Sequence, residues 1–242
     1  MDRATFASRY DNIISEPRML RLYGSSGYFN VGYWTDGVTD VTAACDRMVD
    51  EIAAAVPSDA GVVIDVGCGL GAGTRRVADR FPRALVLGAN LSVWQLAATR
   101  ARGVEACVAT DAARMGIGSG TADAVLAMES ALHFDTRAAF FAEAHRVLRP
   151  GGVVATADML FNDADVIGPW LVPHGNRITT PAEYGQALSD VGFTEVTVRD
   201  ITENSWRPFC AAMRIAFEGQ ADAVRPIEQS LAHYVLAFAR RP

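Results

Sequence analysis

Three stretches carry residue types at spacings that chemistry can use. The first is Asp65-Val-Gly67-Cys68-Gly69-Leu-Gly71, where glycine holds every second position behind an aspartate. Glycine takes positive φ and puts no Cβ between a turn and a ligand, so this run lets a backbone approach a nucleotide-like molecule. The alternative is a turn whose glycines serve packing alone. The second is Glu129-Ser-Ala-Leu-His133-Phe134. An imidazole titrates near neutral pH, which makes His133 a candidate general base. A histidine satisfied by a backbone carbonyl, or one that only orients a substrate, is the plainer reading. The third is a set of bulky groups. Tyr28, Phe29, Tyr33 and Trp34 stand ahead of the glycine run, and Phe161, Trp170, Leu171, Val172, Pro173 and His174 come late. Aromatics interleaved with glycines suit a loop that wraps around something, and the later group reads as a lid.

The elements that must place these groups alternate. Residues 62–66 form an apolar strand around Asp65, and a helix over 74–81 follows the glycine turn. Strands are predicted at 83–88, 104–109, 121–128, 153–159, 193–199 and 230–239. Helices are predicted at 40–56, 93–102, 135–148, 182–191 and 209–218, with Ser92 as the N-cap of one of them. Two short helices broken at Pro17 precede them. The alternation predicts an α/β protein, and ligands in an open sheet of this kind bind at the carboxyl ends of central strands. The Asp65 turn and the Glu129–His133 segment both follow such strands.

Composition excludes several classes. The chain has 242 residues, half of them hydrophobic and 21% charged, as expected of one folded domain. The net charge of −6 comes without a basic run, which argues against nucleic acid as substrate. Cys45, Cys68, Cys107 and Cys210 are scattered without a Cys-x-x-Cys pair, so neither a disulfide framework nor a zinc site is expected. No segment reads as a signal peptide or a membrane span, which leads to the expectation of a cytoplasmic chain without a membrane partner. The oligomeric state stays open, a homodimer included.

The Asp-x-Gly-x-Gly-x-Gly run resembles the first motif of the class I S-adenosylmethionine (SAM) methyltransferases. Leu148-x-Pro-Gly-Gly152 before an apolar strand is a second match, and Asn30-x-Gly-Tyr-Trp34, Asn90-Leu-Ser-x-x-Gln-Leu96 and Glu129-Ser-x-x-His133 resemble segments of the small-molecule, tocopherol-type subgroup. The resemblance covers nearly the whole chain. It implies a Rossmann-like seven-stranded sheet of order 3-2-1-4-5-7-6 with strand 7 antiparallel, helices on both faces and an N-terminal helical cap. It divides the single domain 1–242 into a cap (1–57), a SAM-binding half (58–159) and a lid and substrate half (160–242).

Carried over, the cofactor residues are Tyr33 for the methionine carboxylate, Asp65, Gly67, Cys68, Gly69 and Gly71 at the turn, and Asn90, Leu91 and Gln95 at the ribose. Asp111 and Ala112 fall to the adenine, and Glu129 flanks the cofactor. Most of the family has a carboxylate where this chain has Asn90. Tyr28, Trp34, Phe134, Trp170, His174 and Trp206 would wall the acceptor pocket, with His133 as base and no metal. The implied reaction moves a methyl group from SAM, leaving S-adenosylhomocysteine (SAH), to a fairly hydrophobic small molecule, a secondary metabolite, at oxygen rather than nitrogen or carbon. The alternatives are a SAM-binding cyclase or a non-catalytic SAM-binding protein. A nicotinamide-dependent oxidoreductase is disfavoured, because Gly67, Gly69 and Ala72 meet the dinucleotide spacing only with an alanine ending and no Tyr-x-x-x-Lys pair is present.

Overall fold

Four of the five residues of β1 (Val62–Val66) are buried, as a strand covered on both faces requires. In the computed structural model, which describes residues 2–168, 170–217 and 221–242, β1 pairs in parallel with β2 (Leu85–Asn90) and β4 (Ala122–Met128). β3 (Cys107–Ala109) adds to β2, and β5 (Leu148–Phe161) adds to β4. β7 (Leu231–Arg240) runs antiparallel between β5 and β6 (Thr194–Asp200). The order β3-β2-β1-β4-β5-β7-β6 is the one the resemblance implied. It reverses between β1 and β4, so their carboxyl ends diverge and open a crevice.

The helices are α1 (Arg3–Ile14), α2 (Pro17–Tyr23), α3 (Val41–Ala53), α4 (Ala72–Arg80), α5 (Val93–Ala101), α6 (Arg137–Val147), α7 (Pro181–Asp190), α8 (Trp206–Ala216) and α9 (Ala221–Ser230). Local chemistry starts several of them. The Ser92 hydroxyl accepts from the Gln95 N–H at 3.1 Å, Thr136 accepts from Ala139, and Thr180 with Glu183 forms a capping box ahead of α7. Two apolar clusters cover the sheet. One holds Met48, Ile52 and Phe209 from α3 and α8, and the other holds Phe140, Phe141 and Leu188 from α6 and α7.

Most boundaries shift by one to three residues from the sequence reading, and three differences have a clear cause or consequence. β3 is shorter, because Val104 is still tied to Thr99 at the end of α5 (3.4 Å). β5 is longer, because the ten-residue β7 pairs with it as far as Phe161. The helix expected at 209–218 begins at Trp206, while its expected end at 218 lies outside the described residues; α9, which contains Pro226, was not expected.

Candidate functional site

The turn after β1 has three left-handed glycines, Gly67 (φ 78°), Gly69 (φ 56°) and Gly71 (φ 86°). They do different work. A Cβ on Gly67 would run into Ser130, and one on Gly71 would lie 2.7 Å from Thr99, so both glycines permit close packing. A Cβ on Gly69 would meet nothing within 4 Å. Asp65 stands behind the turn, where the Thr74 hydroxyl of α4 donates to it at 2.6 Å. Burial pushes the Asp65 carboxyl up to about 6 against that hydrogen bond.

In front of the turn lies a cavity of about 350 Å³. Its wall includes Gly67, Cys68, Gly69, Asn90, Leu91, Gln95, Asp111, Ala112 and Glu129 from the expected cofactor set, together with Tyr28, His133, Phe134, Trp170 and His174. Five expected residues lie outside that wall. Asp65 and Gly71 sit behind the turn. Tyr33 is half-buried against the core on the α3 side, its N–H donating to the Ala44 carbonyl at 2.8 Å. The Trp34 indole donates to Val31 at 2.9 Å, and its backbone N–H is bound to Asn204. Trp206 is core: its indole donates to Glu228 at 3.1 Å and its ring packs on Phe161 and Phe209. An aromatic-rich pattern does not say whether a ring faces a cavity or the hydrophobic interior.

Glu129 follows β4 with φ at 50°, an uncommon conformation for a residue with a side chain. Its Oε1 accepts from the Val31 N–H at 2.7 Å and from the Tyr234 hydroxyl at 2.6 Å. Desolvation outweighs these bonds and raises the carboxyl to about 7. The next residue, Ser130, donates to the Val66 carbonyl at 2.7 Å and ties the end of β4 to the end of β1.

His133 ends a short 3-10 turn, Ala131–His133. Its Nδ1 lies 2.8 Å from the Leu171 carbonyl. A carbonyl only accepts, so Nδ1 carries the proton and Nε2 is left as an acceptor. Burial lowers the imidazole to about 4, so it is uncharged at neutral pH. Behind it, Arg137 and Asp158 form a fully buried pair at 2.8 Å, and the Tyr184 hydroxyl donates to Asp158 at 3.0 Å. Asn176 joins this group: it accepts from the Arg137 N–H and donates to the carbonyls of Ala131 and Leu132 at 2.8 Å. The 160–180 segment is thereby fastened to the turn that carries His133.

α1 contributes residues that the sequence reading did not single out. Arg3, Phe6, Ala7, Tyr10 and Ile14 share the cavity wall. Tyr10 packs edge-on to His133 with ring centroids 4.9 Å apart, and Phe6 packs on both His133 and Trp170. The signal available was the spacing of Phe6, Tyr10 and Ile14, one stripe of a helix. Asp11 reaches across to Ser92 (2.9 Å) and Gln95 (2.6 Å), and Gln95 accepts from Asn90 at 2.9 Å. Arg3 pairs with Asp111, whose other oxygen caps its own turn by accepting from Ala113 at 2.8 Å. Among the described residues, no three His, Cys, Asp or Glu side chains cluster to hold a metal ion. No described helix is long and apolar enough to cross a membrane.

The profile of the methyltransferase domain family matches residues 64–156. The chain is 30% identical to erythromycin 3''-O-methyltransferase of Saccharopolyspora erythraea over 75% of this chain and 67% of that enzyme. Among solved structures, the cyclase SpnF superposes with a TM-score of 0.80 and 25% identity, covering 100% of this chain and 97% of SpnF. Methyltransferase GfsG of Streptomyces halstedii is 36% identical over 77% of this chain and 73% of its own length. A likeness of that depth and extent, on this sheet order, makes the chain a member of the class I SAM-dependent methyltransferases.

Proposed function

We propose that the chain methylates a hydroxyl of a fairly hydrophobic small molecule, a secondary metabolite, with His133 taking up the hydroxyl proton. The observation that carries this reading is the state of His133: uncharged, with Nδ1 committed to Leu171, in a wall of aromatic rings. An oxygen acceptor is the one that needs such a base; a neutral amine needs little help. The likeness to an enzyme named for O-methylation of erythromycin supports the same atom and a natural-product acceptor.

The cavity suits the cofactor on four counts. Gly69 leaves open the space that a Cβ would fill. Asn90 and Gln95 offer neutral polar groups suited to ribose hydroxyls. Glu129 uses Oε1 for both of its donors, which leaves Oε2 for the ammonium of the methionine end. Asp111 takes the adenine amine, in place of or beside Arg3. SAM bound there supplies an activated methyl on a sulfonium that leaves as a neutral thioether. The protein holds the acceptor oxygen in line, keeps water out with Phe6, Tyr10, Phe134 and Trp170, and accepts the proton at His133 Nε2. Protonating this buried ring is costly, so the transfer must accompany carbon–oxygen bond formation rather than precede it.

The likeness to SpnF favours one second reading, a SAM-binding cyclase. Incubation of purified protein with methyl-labelled SAM and a panel of polyketide and phenolic alcohols, read by mass spectrometry, separates the two. Label in a product together with SAH supports transfer to oxygen. A product of unchanged mass supports cyclisation. SAM bound with neither product overturns the proposed reading.

A further inference from the structure

Asn90, Ser92 and Gln95 line the cavity, but Asp11, which holds two of them, does not. A side-chain amide has a donor end and an acceptor end, and either can face a given neighbour unless a partner decides. Here two fixed ends decide: the Ser92 N–H, which only donates, and the Asp11 carboxylate, which only accepts. The Asp11 carboxylate only accepts, so Gln95 must turn Nε2 toward it (2.6 Å). Gln95 Oε1 therefore faces Asn90 Nδ2 (2.9 Å), and Asn90 Oδ1 faces the Ser92 N–H (3.2 Å). The second oxygen of Asp11 takes the Ser92 hydroxyl at 2.9 Å and keeps the carboxylate in place. The negative charge on α1 thus anchors the Gln95 end of a relay along the cavity wall whose other end is the Ser92 N–H.

We propose that Asp11 is a positioning residue for recognition of a vicinal diol, the ribose of the nucleoside, acting through Gln95 and Asn90. This rests on the reading of that wall as the cofactor's ribose site. Asn90 stands where the resemblance leads one to expect a carboxylate, and a neutral amide accepts less strongly. Asp11 supplies the missing charge two hydrogen bonds further out, beyond Gln95. With the relay oriented, Gln95 offers an acceptor lone pair and one unused N–H, and the second N–H of Asn90 is held only by a 4.0 Å contact with the Cys68 sulfur, a set that matches two hydroxyls. Without Asp11 the Gln95 amide loses the partner that holds its Nε2, and only the contact with Asn90 keeps it in place on the cavity wall.

The test compares SAH with its 2′,3′-dideoxy analogue by titration calorimetry on the full chain. Wild type is expected to bind SAH the more tightly. Asp11→Asn, close in shape but ambiguous in polarity, is expected to weaken SAH ~10-fold, about the worth of one hydrogen bond, and the dideoxy analogue less than ~2-fold. Gln95→Leu is the second variant. It should erase the preference for the diol with Asp11 intact, and adding Asp11→Asn should cost nothing more, because the relay is already cut. Equal loss for both ligands in Asp11→Asn would reduce Asp11 to a docking contact for α1 and overturn the proposal, as would a retained diol preference in Gln95→Leu. Wild type that binds SAH but does not distinguish the analogue overturns the ribose assignment, and wild type that binds neither overturns the cofactor site itself.

Discussion

Glu129→Gln should make the ligand-free protein more stable at pH 8 and leave it unchanged near pH 4.5. Burial lifts this carboxyl from 4.5 to about 7 even though two donors stabilise its charged form. Below pH 4.5 the group is protonated in both the folded and the unfolded chain and carries no penalty. Between about pH 4.5 and 7 the unfolded chain ionises first, so the native state binds more protons and stability falls as pH rises. Moving the carboxyl from 4.5 to about 7 corresponds to roughly 3 kcal/mol, present at low pH and lost by pH 8. Glutamine keeps an oxygen for Val31 and Tyr234 and has no charge to desolvate. At ~2–4 °C per kcal/mol for a chain of this length, the variant should melt up to ~6–12 °C above wild type at pH 8. Asp65 and His133 also titrate across this range, with opposite signs, but they are common to both proteins and cancel in the difference. The assay is thermal unfolding of both proteins from pH 4.5 to 8, without ligand and with SAH. Saturating SAH should reverse the order at pH 8, because its ammonium compensates the carboxylate and not the amide. A difference between the two melting curves that does not change with pH would refute the reasoning.

Other outcomes follow from the same geometry. Gly69→Val should abolish SAH binding by calorimetry in a protein that still folds, with ~1–2 kcal/mol lost to the left-handed backbone; retained affinity removes the turn from the site. His133→Ala should lower turnover ~10²–10⁴-fold with SAH affinity little changed. For the wild type with SAM saturating, kcat/KM for the acceptor should stay level as pH falls to about 5, because burial holds His133 near 4. A fall centred on the usual histidine range would point to another base. Arg137→Leu leaves Asp158 buried and unpaired and should cost ~3–5 kcal/mol in urea unfolding; an unchanged midpoint would mean that Asp158 finds water or a proton.

The alternation of strands and helices was legible because the first glycine motif marks a strand-to-helix turn, the second marks a helix-to-strand turn, and the strands are mostly apolar, while the strand order came from the family resemblance. The cavity floor was legible for the same reason: Gly69, Asn90, Gln95, Glu129 and His133 all follow strand ends. The roof was not. Phe6 and Tyr10 sit on a helix whose docking partner lies more than 120 positions away, and nothing local in residues 3–14 names that partner. The pairing of Arg3 with Asp111 is equally remote. Tyr33, Trp34 and Trp206 lie away from the cavity, packed in or against the hydrophobic core, with the two indoles bound to the carbonyls of Val31 and Glu228.

The bond between His133 and Leu171 makes the tautomer of the proposed base a reporter of loop position. Leu171 belongs to the 160–180 segment, held down by Asn176 and the buried Arg137–Asp158 pair. With that carbonyl in place, the ring turns a lone pair toward the acceptor. With the segment lifted, the ring is free to carry its proton on Nε2 and would greet the same hydroxyl as a donor. For the proposed reaction, the proton-accepting state of His133 therefore depends on the Leu171 carbonyl staying where the Asn176 contacts hold its segment.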